Sequence, residues 1–195
     1  MNPKELFTRS IGQATGCINH LSNDYMSNPT PCTEWDVKAL LNHMVYELRW
    51  VPDLLAGKTI DEVGNRYDGD LLTSNPHSAW QHAADAALMA VKHVDPNKMV
   101  HLSYGDVPAS EYIAEVGADI LIHTWDLDQG MNCSLVMAED LAKYVFDNTL
   151  PRKDSLASSG LFAPAINVPN DATIQVKLLA LFGRRVPNES DIKHK

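Results

Sequence analysis

Two stretches of the chain pair an imidazole with a carboxylate four residues apart. In ADILIHTWDLDQG (118–130) the pair is Asp119 and His123, and in EWDVKALLNHMVYELRW (34–50) it is His43 and Glu47. On a helix, positions i and i+4 lie on one face, one above the other, so each pair can address a single point beside its helix. At ~100° per residue, Asp119 and His123 fall on the flank of the apolar stripe Ile113, Val116, Ile120 and Leu127. His43 and Glu47 flank Leu40, Met44 and Val51 in the same way, near Trp50 and Leu54. If the two helices are neighbours, His43, Asp119 and His123 converge on the wall of a helical core. Two imidazoles and a carboxylate leave coordination positions open for water or substrate, as catalytic metal centres do. The absence of paired thiolates favours borderline ions, zinc foremost, with nickel and iron(II) as alternatives.

Simpler roles exist for the same residues. A single histidine on a helix flank is more often a satisfied surface or core residue than a ligand. Asp119 with His123 can be a hydrogen-bonded pair that fixes an imidazole tautomer, and Glu47 can be a solvated partner of Arg49 or of a lysine. His20, His77, His82, His93, His101 and His194 read as structural or solvated. The chain contains no GxSxG, P-loop or GxGxxG motif, so Ser/His/Asp catalysis has no support in it.

The elements that must position these residues can be read from periodicity. Phe7, Ile11, Ala14, Ile18, Leu21 and Tyr25 recur at steps of four and three, which predicts a first amphipathic helix. SNPTPCT (27–33) breaks it, and Thr33 with Asp36 makes a capping pair for the second. That helix carries Val37, Leu40, Leu41, Met44, Leu48, Val51 and Leu55, and Gly57 can end it. Residues 58–75 are a long polar connection. Asn75–Pro76 opens a third helix through Trp80, Ala83, Ala84, Ala87, Leu88 and Val91, closed near Asp95–Pro96. Val100, Leu102 and Tyr104 alternate before Gly105–Asp106, predicting a short strand or hairpin. A fourth helix runs from about Ala109 to Gln129, with Gly130 placed to cap it. A fifth spans about Ala138 to Thr149. A loop-like SSGLFAPAINVPNDA (158–172) then leads to a short final helix in TIQVKLLALFGRR. The expected fold is an all-α helical bundle with a helical and loop C-terminal extension.

The chain of 195 residues reads as one domain, with 1–130 as the bundle core and 131–195 as an extension packed on it. Its 16 basic and 25 acidic residues give a formal charge of −9, poorly suited to tracking phosphates, so neither nucleic acid nor anionic membrane is an expected partner. Cys17, Cys32 and Cys133 are far apart and odd in number, which fits a reducing compartment. No signal-peptide h-region opens the chain and no ~18-residue apolar run occurs in it, so a cytoplasmic location is expected. Cys32 precedes His43 by 11 residues, about 16 Å along a helix at ~1.5 Å per residue, which would put it beyond reach of the same ion.

Four blocks in order, PTPCTEWDVKALLNHMV, YGDVPASEYI, DILIHTWDLDQG and LLALFGRR, resemble the actinobacterial-type metal-binding branch of the DinB-like superfamily. That superfamily includes the mycothiol-dependent maleylpyruvate isomerases and related thiol transferases. The resemblance implies a four-helix bundle and a divalent metal held by three side chains, which fall on His43, Asp119 and His123. The isomerase branch carries Glu where this chain has Asp119, and its C-terminal part differs from the segment after residue 150 here. The site and a dependence on a small thiol therefore carry over as expectations, and maleylpyruvate isomerisation does not. The implied partners are a mycothiol-like small thiol and an electrophilic substrate. Glu47 would then orient a ligand or accept a proton, with Asp126 a weaker orienting candidate. A pocket lined by Trp50, Trp125 or Tyr112 would favour an enzyme. The alternative is a non-catalytic metal-binding sensor or stress-response protein built on the same ligands.

Overall fold

Three of the four long helices of the N-terminal region begin at a polar side chain that accepts from a free backbone N–H, and α5 begins after Pro108 with no side-chain cap. Asn2 accepts from the Glu5 amide to open α1 (Pro3–Ile18), and Asp36 accepts from the Ala39 amide at 2.8 Å to open α2 (Val37–Ala56). The connection after α2 contains a single turn, α3 (Ile60–Val63), closed by a capping box between Thr59 and Glu62. Asn75 caps α4 (Pro76–His93) through the Ser78 amide, with Pro76 in the first turn as its fixed φ favours. An antiparallel hairpin, β1 (Met99–Leu102) and β2 (Gly105–Pro108), then leads into α5 (Ala109–Gly130).

The structure, a computed structural model of the chain, describes residues 1–153 and 163–186. It divides into two compact units, Met1–Leu135 and Val136–Lys195. In the first, α1 packs against α5 and α4, and α2 packs against α4 and α5. Gly117 lies against Phe7, and the Cys17 thiol faces the Thr124 carbonyl, so α1 and α5 run in the same direction. Gly130 meets Val37 while His43 meets Asp119, so α2 and α5 are antiparallel. The connection 57–75 returns along the length of α2. Asp53 receives Lys58 at 2.7 Å and Tyr67 at 2.9 Å, and Asn42 bonds the Gly69 carbonyl at 3.0 Å and the Leu71 amide at 2.8 Å. This return places the start of α4 beside the start of α2, so these two helices are parallel. The result is an up-down-down-up four-helix bundle with a short hairpin. Its core is closed by Phe7, Leu40, Met44, Trp80, Ile113 and Ile120, all buried.

Two local expectations are corrected. Thr33 does not cap α2; residues 30–36 form their own turn, in which the Thr30 hydroxyl bonds the carbonyls of Cys32 and Trp35, and Asp36 becomes the cap. Gly130 is the last residue of α5 rather than a left-handed stop. A Cβ there would lie 2.6 Å from Val37 Cγ2 and 3.1 Å from Thr30 Cγ2, so glycine permits the close approach of α5 to the turn before α2.

In the second unit, α6 (Glu139–Thr149) packs against α7 (Ile174–Leu181), which Thr173 caps through the Val176 amide. Gln175 accepts from the Met137 amide at 2.9 Å. Part of the loop expected at 158–172 lies outside the described residues. Among those described, no helix is long and apolar enough to cross a membrane.

Candidate metal centre

His43 lies in the second turn of α2, and Asp119 and His123 lie one turn apart on α5. The antiparallel seam between the two helices brings them to one place. His43 Nε2 is 3.7 Å from one Asp119 carboxylate oxygen, and His123 Nε2 is 3.4 Å from the other. Donors bound at ~2.0–2.1 Å in a tetrahedron are about 3.3–3.4 Å apart, so both separations are close to ligand edges. One donor atom from each of the three residues lies within 4.8 Å of the others, a gap that imidazole rotation can close. The donor set thus fits a divalent ion. Although Asp119 is a methylene shorter than a glutamate would be, its carboxylate oxygens lie 3.7 and 3.4 Å from the two imidazoles.

The other nitrogen of each imidazole also has a carboxylate neighbour. His123 Nδ1 is 3.1 Å from Asp126, which is fully buried, and His43 Nδ1 is 4.0 Å from Glu47. In the tautomer with the ring proton on Nδ1, that nitrogen donates to Asp126 and the Nε2 lone pair faces Asp119. Asp126 is the weaker orienting candidate in the sequence, and its full burial gives it weight.

Glu47 makes no ion pair with Arg49. Burial first, and then the Asp119 charge, push its carboxyl up to about 7, while the two histidines pull it down. A folded-state value above the unfolded one means the folded protein holds the proton more tightly. The stabilisation is complete below the ordinary 4.5 and is lost as pH rises through about 7. Because the side chain keeps 31 % of its exposure, solvent screens part of the effect and the slope is shallow. Thermal melts of metal-free protein are expected to show a lower Tm at pH 8 than at pH 5 from this group, and Glu47→Gln should flatten that difference. An unchanged slope in the variant would assign the pH response to other groups.

Trp35, which periodicity did not single out, covers the cluster. Its ring centroid lies 4.4 Å from that of His43 and 5.8 Å from that of His123. Its one signal in the sequence is a large aromatic immediately before the true cap, Asp36. Farther along the seam, Trp50 and Tyr112 are buried, and among the described residues neither the indole Nε1 nor the phenol hydroxyl has a hydrogen-bond partner. Trp125 is buried about 120° round α5 from Asp119, off this face.

Cys32 groups with His123 and Asp126, not with His43 and Asp119. Its sulfur lies within 4.8 Å of a ring nitrogen of His123 and a carboxylate oxygen of Asp126, because the chain before Asp36 is a turn folded over the end of α5 and not a helix. Cys17 is buried, its thiol pushed up to about 12 by that burial, and Cys133 is exposed. His20, His77, His82 and His93 are exposed, and His101 pairs with Asp106 at 2.8 Å across the hairpin. His194 lies outside the described residues. A cleft between the C-terminal ends of α2 and α4, lined by Pro52, Leu55, Ala90, His93 and Lys98, has no comparable donor set; Lys98 is committed to the Leu55 carbonyl at 2.7 Å.

A family model described as mycothiol maleylpyruvate isomerase N-terminal domain matches residues 7–128, which include all of α2 and α5 as far as Asp128. Two curated relatives, uncharacterized proteins of Mycobacterium tuberculosis strains CDC 1551 / Oshkosh and ATCC 25618 / H37Rv, are each 26% identical over 142 residues, covering 73% of this chain and 74% of their own. No solved structure gives a significant match.

Proposed function

Because the chain belongs to the mycothiol maleylpyruvate isomerase N-terminal domain family, a DinB-like family, we propose that it is a divalent-metal-dependent enzyme. In this reading a small thiol of the mycothiol type reacts with an electrophilic substrate, by S-transfer or thiol-assisted isomerisation. The observation that carries it is the convergence of His43, Asp119 and His123 on the α2–α5 seam. His43, Asp119 and His123 would hold a divalent ion, zinc foremost with nickel or iron as alternatives, whose charge would favour the ionised form of a small thiol at neutral pH.

The residues around that point have separate tasks. Asp126 orients the His123 ring through Nδ1, and the tilted Trp35 ring lies against His43. Glu47, a half-buried carboxyl 4.0 Å from His43, is placed to accept the proton of an arriving thiol and return it to product. Buried donors without partners are rare in folded proteins. The Trp50 indole N–H and the Tyr112 hydroxyl therefore support a substrate-binding role for this stretch of the seam and favour an enzyme over a sensor. Cys17, with a thiol held far from ionisation at neutral pH, is no nucleophile, which supports a thiol supplied from outside.

The test is turnover of an electrophilic substrate with mycothiol, bacillithiol or glutathione, by wild type, His123→Ala, Glu47→Gln and Cys17→Ala/Cys133→Ala. Activity should require an added thiol and be lost in His123→Ala. In Glu47→Gln, kcat should fall by ~10²-fold or more, the scale of a lost proton acceptor, with metal content unchanged. The cysteine variant should match wild type. Activity without added thiol, or indifferent to His123, would overturn the proposal.

A further inference from the structure

The His123 ring has two faces to consider, and only one belongs to the cluster with His43. Nε2 looks toward Asp119, and Nδ1 looks toward Asp126 at 3.1 Å. The Cys32 sulfur, a ring nitrogen of His123 and an oxygen of Asp126 lie within 4.8 Å of one another. We propose that Cys32, His123 and Asp126 form a second metal seat, sharing the His123 ring with the first and selective for thiophilic ions.

Three features carry this assignment. First, the thiol is placed by a fixed frame. The Thr30 hydroxyl bonds the Cys32 carbonyl at 3.1 Å and the Trp35 carbonyl at 2.8 Å, and the Trp35 amide donates to the Cys32 carbonyl at 2.9 Å. Asn28 donates to the Gly130 carbonyl at 2.8 Å, and Gly130 itself makes room for Thr30, so the turn is pinned to the end of α5.

Second, the charges close. A thiolate and a carboxylate neutralise a divalent ion completely, which suits a place where His123 is only 4 % exposed and Asp126 is fully buried. The Asp119 side, with one carboxylate, leaves a net positive charge for an anionic ligand to balance. Third, the donors differ in softness. Nitrogen and oxygen alone suit borderline ions, whereas sulfur shifts preference toward zinc, cadmium and copper(I). Cys32 is half-buried, so an ion has access to it.

Ion entry releases one proton, from the Cys32 thiol, and shifts the His123 ring proton from Nδ1 to Nε2, so that bonds form to sulfur, a neutral imidazole nitrogen and the Asp126 oxygen. No electron is transferred. Filling both seats at once would require the neutral His123 ring to give up its one N–H proton and become an imidazolate, so the two compete for one ring. The second seat does not depend on the function proposed above, because His43→Ala disables the first seat alone.

The test is titration of metal-free full-length protein with cobalt(II) and cadmium(II), reading thiolate-to-metal charge-transfer absorption. The expected result is a thiolate band that saturates near one equivalent in His43→Ala and is lost in Cys32→Ser. In a Cys17→Ala/Cys133→Ala background, one equivalent of cadmium should slow alkylation of Cys32 by iodoacetamide at least tenfold, and His123→Ala should remove that protection. The alkylation readout keeps Cys32 itself, so it stands even if Cys32→Ser misfolds. No thiolate band in wild type or His43→Ala, a band that survives in Cys32→Ser, or cadmium protection independent of His123 would each overturn the proposal.

Discussion

Replacing His43 and His123 together with alanine is expected to remove bound divalent metal, from about one equivalent in wild type to a background level after purification without an affinity tag. The reason is the small donor set. Three side chains meet at the seam, and losing two leaves Asp119 as a single carboxylate that water out-competes for zinc. His123 also serves the Cys32 side, so the double variant disables both seats, whereas His43→Ala alone retains the thiophilic one. Thermal stability offers a second measurement. A ligand at a thousand times its Kd stabilises the folded state by about 4.1 kcal/mol, so added zinc should raise the Tm of wild type and leave that of the double variant unmoved.

The same donors set the pH response. Ligating imidazoles must be neutral, so below their titration each one that binds metal first loses a proton. With two imidazoles, the apparent affinity should fall by up to about a hundredfold per pH unit on the acid side. Equilibrium dialysis across that range would read the slope. A double variant that keeps its metal, or an affinity flat with pH, would show that the ligands lie elsewhere.

The second large effect is expected at Asp126, which acts through His123 in the first seat and is therefore a positioning residue there. Asp126→Asn should weaken zinc binding by roughly 10- to 100-fold, the usual consequence of losing the carboxylate that orients a ligating histidine. Asparagine keeps the shape but loses the charge. It can also present its amide N–H₂ to the ring, which moves the ring proton to Nε2 and blocks the lone pair that faces Asp119. Asp126 is fully buried, so a purely structural role is the competing explanation. The two separate cleanly. A structural role lowers the Tm of metal-free protein and leaves the zinc-induced rise in Tm intact. A positioning role shrinks that rise in proportion to the lost affinity, as competition with a chelator would measure directly.

Much of the bundle was legible in local pattern. Asn75–Pro76 marked the start of α4 because a short polar cap and a proline at the first helical position are both local devices. Gly57 ended α2 with φ of 104°, where glycine meets no steric penalty. The hairpin before α5 was signalled by alternation and by Gly105, which sits at φ of 134°. Where a local signal had two solutions, the nearer contact was misjudged. Thr33 and Asp36 both suit a cap, and the choice fell to Asp36 because Thr30 and Asn28 tie the preceding turn to α5.

Amino-acid order alone was enough for the helices and for the residues that could share a face on each: His43 with Glu47, and Asp119 with His123. Helical periodicity repeats every 3.6 residues, and its consequences reach only one or two turns along the chain. Which faces meet was a matter for the assembled bundle. Packing set α2 antiparallel to α5 and brought His43 to within 3.7 Å of Asp119 across 76 residues of chain. It also folded Trp35 and Cys32 over the cluster, buried Asp126 against His123, and pushed the Glu47 carboxyl up to about 7. Each of these depends on burial and on contacts between segments far apart in the chain. Such contacts are selected by close approaches such as Gly130 against Val37, and no spacing within a single segment encodes them.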